Sequence, residues 1–112
     1  MVINPSFQRI GTFLVFKIPN EVNIYVSREY SKFLKDEYAK ENFQFLVLDA
    51  TGDFILSSLS FGFIMNLYNF CNLEKVELRL ICNREKVLQM FDLMKIGHMF
   101  KLYSSLEQAL VE

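Results

Sequence analysis

Two rhythms of apolar residues alternate along the chain: short unbroken runs, and longer segments spaced at three and four residues. Residues 13–18 are almost continuously apolar and β-favouring and stop at Pro19-Asn20, which predicts a buried strand. Val22-Asn23-Ile24-Tyr25 alternates and reads either as a short strand or as the start of the next helix. Ser27 is placed to cap that helix. Tyr30, Phe33, Leu34 and Tyr38 give it an apolar stripe at i, i+3, i+4, i+8. Lys32, Lys35, Asp36, Glu37 and Lys40 form its wet side, a solvated face, with Asp36 and Lys40 in the order that favours an i,i+4 pair.

Residues 43–48 form an apolar run that ends on Asp49 and predicts a central parallel strand. The turn Ala50-Thr51-Gly52-Asp53 follows, then Phe54-Ile55-Leu56, then Ser57 and Ser58 at the start of a helix reaching about Cys71. Ile64, Leu67, Tyr68 and Cys71 share one face of this helix, and Asn66 and Asn69 lie opposite. Phe63, Met65 and Phe70 on its flanks exceed what one core stripe needs, so either neighbouring helices cover them or they form a partner surface. A strand ending at a carboxylate, followed by hydroxyls at a helix head, places polar chemistry at the strand-to-helix edge where open α/β sheets build their sites.

Residues 76–82 alternate at first and predict a strand with one exposed face near a sheet edge. Asn83 is placed to cap the next helix, whose stripe is Val87, Leu88, Phe91 and Met94. Lys101-Leu102-Tyr103 is a short strand candidate, and Ser104-Ser105-Leu106-Glu107 reads as a capping box. Leu106, Ala109 and Leu110 form the buried side of the last helix. Strands separated by helices give an α/β layer fold with a mainly parallel sheet and about four helices.

At 112 residues the chain is read as one domain, 1–112, able to build a core without metal or disulfide staples. A net charge of −1 with dispersed basic residues argues against nucleic acid, which asks for a basic patch. Phe54 to Leu73 carries no charge and matches a span of about 20 residues, yet serines and asparagines interrupt it and acids flank it, so no membrane span is expected. The N-terminus lacks the pattern of a signal peptide, so a cytoplasmic location is expected. Cys71 and Cys82 have no CxxC spacing and read as small buried residues in a reducing compartment. His98 stands alone, and no metal or cofactor is expected.

Residues 43–73 resemble the STAS domain, the family of anti-sigma factor antagonists and sulfate-transporter tails. That family runs strand–Asp–turn, then F-[IM]-D-S-[SA]-G-L-G, then a helix. With Tyr68 set on the family's helix tyrosine, Ser57 falls on the motif's Asp and Ser58 on its phosphorylated Ser. Leu59 then falls on the second small residue, Ser60 on the first Gly, Phe61 on Leu and Gly62 on the last Gly. The motif's Asp and first Gly are thus replaced. A register one residue earlier would make Ser57 the acceptor, put Leu56 on the Asp and lose the Gly62 match. A second signature, G-[ED]-[LI]-D, falls on Asn20-Glu21-Val22-Asn23, again without its Gly and Asp. Residues 99–110 resemble the family's ending, L-F-x-[IL]-[YF]-x-S-x-E-x-A-L, so the resemblance covers roughly residues 11–112.

Asp49 and Asp53 are the only acids near the strand end, and neither a Gly-rich phosphate loop nor a serine-hydrolase elbow is present. A receiver domain would need paired acids after the first strand, which the sequence lacks. A binding module is therefore favoured over an enzyme. The resemblance implies a STAS-like fold with a mixed, mainly parallel sheet of about four or five strands. It implies an anti-sigma factor antagonist-like module that binds a serine-kinase anti-sigma factor of the histidine-kinase-like ATPase type. Phosphorylation at a helix head, on Ser58 or alternatively Ser57, would switch that binding. Asn23, Ser57, Ser58, Ser60, Phe63 and Phe70 are the expected partner-binding residues. The alternative is a non-phosphorylated STAS scaffold or accessory subunit, stressosome-like or associated with a lipid transporter.

Overall fold

The apolar runs at residues 13–18 and 43–48 lie side by side in one sheet of sequential strand order. The computed structural model describes residues 6–95 and 99–112; His98 lies outside them. Its elements are β1 (Phe7–Ile10), β2 (Phe13–Lys17), α1 (Ile24–Lys40), β3 (Phe45–Asp49), α2 (Ser58–Glu74), β4 (Glu77–Ile81), α3 (Glu85–Leu93), β5 (Lys101–Tyr103) and α4 (Leu106–Ala109). The sheet order is β1-β2-β3-β4-β5. β1 pairs antiparallel with β2, and the other pairs are parallel, Val15 facing Val47 and Val47 facing Arg79. This is the mixed, mainly parallel α/β domain expected.

Each crossover from β2 to β5 steps one strand in the same direction, so right-handed connections put α1, α2 and α3 on the same face. There Leu14, Phe16, Leu46, Leu48, Leu78 and Leu80 meet Leu34 of α1, Phe63 and Leu67 of α2, and Val87 and Phe91 of α3. The opposite face carries Phe13, Val15, Val47 and Ile81 and is covered by Ala109 of α4.

The structure corrects several local expectations. β1, which the sequence pattern did not predict, joins β2 through a tight turn in which Gly11 takes φ +58°, a conformation glycine adopts without strain. Asn23, not Ser27, caps α1: its Oδ1 accepts from the Val26 N–H at 2.8 Å. Lys40 pairs with Glu37 at 3.4 Å rather than with Asp36. β4 lies next to the edge strand β5, as expected, but neither of its faces is exposed, and Arg79 is buried. The Arg79 guanidinium donates to the backbone carbonyls of Ala109 and Val111, contacts the Glu77 carboxylate and lies 4.4 Å from the Phe45 ring centroid. Burial opposes charge on Glu77, but hydrogen bonds and attraction from Lys101 and Arg79 hold its carboxyl below the usual range. Arg84, not Asn83, precedes α3 and provides no side-chain cap. Ser105 caps α4, with Gln108 rather than Glu107 as the reciprocal partner through the Ser104 N–H, and Leu106 is exposed.

Phe63 is 1% exposed and meets the Tyr30 ring edge-on at 5.3 Å. Phe70 is half-buried and meets Tyr38 edge-on at 5.8 Å. Of the two readings left open for the flanks of α2, covering by a neighbouring helix is realised fully at Phe63 and in part at Phe70. Phe63→Ala is expected to cost about 3–5 kcal/mol in urea denaturation. A loss below about 1 kcal/mol would show that α1 does not close over this ring.

Both cysteines are buried and unpaired. Burial pushes the Cys71 thiol up to about 12 from an ordinary 9.0, and pushes Cys82 up against an opposing hydrogen bond and charge at Arg84. Above pH 9 the unfolded chain releases the Cys71 proton while the folded chain retains it. Stability therefore falls as pH rises through that window, by up to about 1.4 kcal/mol per pH unit from this group. Urea midpoints measured from about pH 8 to about pH 10 should fall less steeply for Cys71→Ala than for the parent chain. Parallel pH profiles would show that the thiol does not carry the effect.

Candidate functional site at the heads of the first two long helices

The parallel strands end at one edge of the sheet, and the loops leaving β2 and β3 lead there to the heads of α1 and α2. The loop after β3 is tied down from several sides. Asp49 Oδ1 accepts from the Thr51 N–H at 2.9 Å, an aspartate turn that takes the chain off the strand. The Ala50 N–H bonds Ile81 O at 2.8 Å and the Ile55 N–H bonds Asn20 O at 3.1 Å. Arg84 Nη1 donates to Gly52 O at 3.0 Å and Phe54 O at 3.1 Å, with its guanidinium 5.0 Å from the centre of the Phe54 ring. At Gly52 a Cβ would lie 2.7 Å from Lys17 Cε, so a larger residue there would displace the end of that flexible side chain.

This fixed loop delivers three serines to the head of α2, and the cap decides their fates. Ser57 Oγ accepts from the Ser60 N–H at 3.2 Å, and Ser60 Oγ accepts from the Ser57 N–H at 2.9 Å. Ser60 also donates to Ser57 O at 2.9 Å and is 0% exposed. Ser57 and Ser60 thus satisfy the helix terminus reciprocally. Ser58 is exposed, and its hydroxyl bonds no described residue. Of the residues expected at a partner surface, Asn23, Ser57 and Ser58 are brought together at this edge. Ser60 is buried as half of the cap and Phe63 is buried against Tyr30, while Phe70 is half-buried and lines a further groove between α1 and α2.

Ser58 and Gly62 stand on a ridge between two grooves. One, about 590 Å³, runs between α1 and α2 and is lined by Asn23, Ile24, Arg28, Lys32, Lys35 and Asn66 among others. Asn66 Nδ2 bridges it to Ser27 Oγ at 3.2 Å, which is the role Ser27 has in place of capping. The other, about 470 Å³, lies between α2 and α3 and is lined by Phe61, Met65, Met90 and Met94. A Cβ at Gly62 would meet nothing within 4 Å, so the glycine is not required by packing and leaves the ridge low. Ile24, Ile55 and Leu59 are exposed at the same head. The sequence reading placed Lys32 and Lys35 on a solvated face, Met65 on a flank and Met94 in the α3 stripe, and passed over Arg28 and Met90. The i, i+4, i+7 spacing of Arg28, Lys32 and Lys35 was the signal that marks them as one stripe.

Among the described residues no group of three or more His, Cys, Asp or Glu could hold a metal ion, and no helix is long and apolar enough to cross a membrane. The arrangement offers a contact surface with the free Ser58 hydroxyl at the head of α2.

No curated protein matches the chain in sequence. Several solved structures share its fold. The NMR structure of the Thermotoga maritima protein TM1081 has a TM-score of 0.84 at 18% identity over 98% of this chain and 88% of that one. A crystal structure of TM1081, described as a candidate anti-sigma factor antagonist, gives 0.77 at 20% identity over 95% and 91%. An anti-sigma factor antagonist from Mycobacterium paratuberculosis gives 0.72 at 16% identity over 96% and 90%. The family model described as the STAS domain matches residues 4–109, and the chain therefore belongs to the STAS domain family.

Proposed function

We propose that this chain is an anti-sigma factor antagonist-like binding module of the cytoplasm, acting in transcription regulation. Its partner is a serine-kinase anti-sigma factor of the histidine-kinase-like ATPase type, and phosphorylation of Ser58 ends the binding. The observation that carries this reading is the division of labour among the serines. Ser57 and Ser60 are consumed by the cap, while Ser58 is exposed and unbonded at the head of a 17-residue helix. The solved relatives described as anti-sigma factor antagonists support the kind of partner.

Phosphate on Ser58 would add about −1.5 to −2 charge and three acceptor oxygens. The first turn of α2 contains no acid, so the helix terminus tolerates that charge without internal repulsion. The apolar contact formed by Leu59 and Ile24 would then carry a dianion at its centre. Release follows from a local change of charge and requires no refolding.

The replacement of the motif's Asp and first Gly favours the second reading, a non-phosphorylated scaffold or accessory subunit. Those positions hold Ser57 and Ser60, whose mutual hydrogen bonds serve the helix alone. One experiment separates the readings. The protein is used to capture its partner, which is identified by mass spectrometry and incubated with the domain and ATP. Phosphate on Ser58, with partner affinity reduced about tenfold or more by Ser58→Asp, supports the switch. No phosphate together with unimpaired capture by Ser58→Asp would leave the scaffold reading. Ser57→Ala and Ser60→Ala are each expected to lower stability by about 1 kcal/mol, and Ser58→Ala to leave it unchanged, by urea denaturation.

A further inference from the structure

The wet side of α1 carries a stripe of cations. Arg28, Lys32 and Lys35 stand at i, i+4 and i+7, so they rise as one stripe of about 10 Å along the helix. All three line the groove between α1 and α2. None makes an ion pair with a described residue, whereas Arg9, Lys40, Arg79 and Lys101 all do. Asp36 is the one acid in the groove, against these three cations. Neither α1 nor α2 has an acid in its first turn, so the positive ends of both helices add to the same field at the groove's head. At that head Ile24 is 61% exposed and Leu59 45% exposed.

We propose that this groove docks an acidic, amphipathic segment of a partner protein. Its carboxylates face Arg28, Lys32 and Lys35, and an apolar side chain seats between Ile24 and Leu59. The inference deepens the docking reading of this edge and rests on it. A protein segment fits better than a nucleic acid. The lining offers no exposed aromatic ring for base stacking, and the chain's net charge is −1. Ser27, Ser31, Asn23 and Asn66 along the groove supply neutral hydrogen-bonding groups for a peptide backbone. Gly62 keeps the wall low without any packing need for a glycine.

The test uses the full chain and a fluorescein-labelled helical peptide of Leu, Ala and Glu, with Glu at i, i+4 and i+7, read by fluorescence anisotropy. Binding at low salt should weaken in about 0.5 M salt, where exposed charges are screened. Replacing Glu by Gln in the peptide, or making Arg28→Glu, Lys32→Glu and Lys35→Glu together, should weaken it about tenfold or more. Lys75→Glu, Lys86→Glu and Lys95→Glu change net charge equally at other exposed positions and should have an effect of less than about threefold. Gly62→Leu should also weaken binding while circular dichroism stays unchanged. Equal losses from the two triple variants, tighter binding of single-stranded DNA than of the peptide, or indifference to the groove reversal would each overturn the proposal. The partner captured by the domain tells this failure from that of the wider reading. If Ser58→Asp abolishes capture and the groove reversal does not, docking stands and the acidic segment falls. If neither variant affects capture, both fall.

Discussion

Four parallel strands must be shielded on both faces, and the chain places its three long helices on one of them. The other face is left to the four-residue α4, which buries Ala109 but cannot span Phe13, Val15, Val47 and Ile81. Arg79 completes the cover. A buried guanidinium alone would cost several kcal/mol, but this one contacts Glu77, donates to two backbone carbonyls and lies beside the Phe13, Phe45 and Tyr103 rings. It thus closes the thin face and, through Nε and Nη1, ties Glu77, Ala109 and Val111 to it. With that face sealed, α1, α2 and α3 remain side by side, and the grooves between them are the natural places for contact.

The edge where the helices begin is rigid because its hydrogen bonds are already committed. The loop before α2 is tied to Asn20, Ile81 and Arg84 before it reaches the cap. The cap then uses two serines for what a single Asp or Ser does in many helices, and Ser58 is left over. A surface that must recognise a partner gains from this, since ordered backbone reduces the entropy lost on docking.

What could be read in the sequence was governed by how far apart the deciding residues lie. Residues 13–18 and 43–48 announce buried strands because each is apolar through and through, and β2 and β3 formed there. β1 did not announce itself: Phe7, Gln8, Arg9 and Ile10 show no buried face, and the strand exists through pairing with β2. Asn23 was passed over as a cap because Ile24 and Tyr25, the first helical residues, are exposed apolar side chains that blur the start of the stripe. Arg79 alternates with leucines and so looks solvent-facing, yet its cover comes from residues 30 and 32 positions away. The apolar excess on α2 had two solutions, and the Tyr30–Phe63 and Tyr38–Phe70 contacts show that α1 supplies the cover at those rings. The serine cluster was legible as a helix head. Which serine stays free was not, because that depends on side-chain directions within one turn.

Ser58 belongs to the linings of both grooves, one cationic and one rich in methionine. This ties the proposed switch to the proposed docking site through charge alone. A dianion on Ser58 would stand in the same groove as Arg28 and Lys32 and draw on the field that an acidic partner segment needs. The modification would thus act twice, by inserting charge into the apolar contact at Leu59 and by lowering the positive potential further along α1. The methionine-lined groove would respond differently, since flexible thioether side chains adapt to a partner's shape and carry no charge to be cancelled. A partner held mainly between α2 and α3 would feel the phosphate as a rim charge. One held between α1 and α2 would lose both its apolar seat and its counter-charges. A strong switch by a single serine therefore requires the partner to use the α1 side.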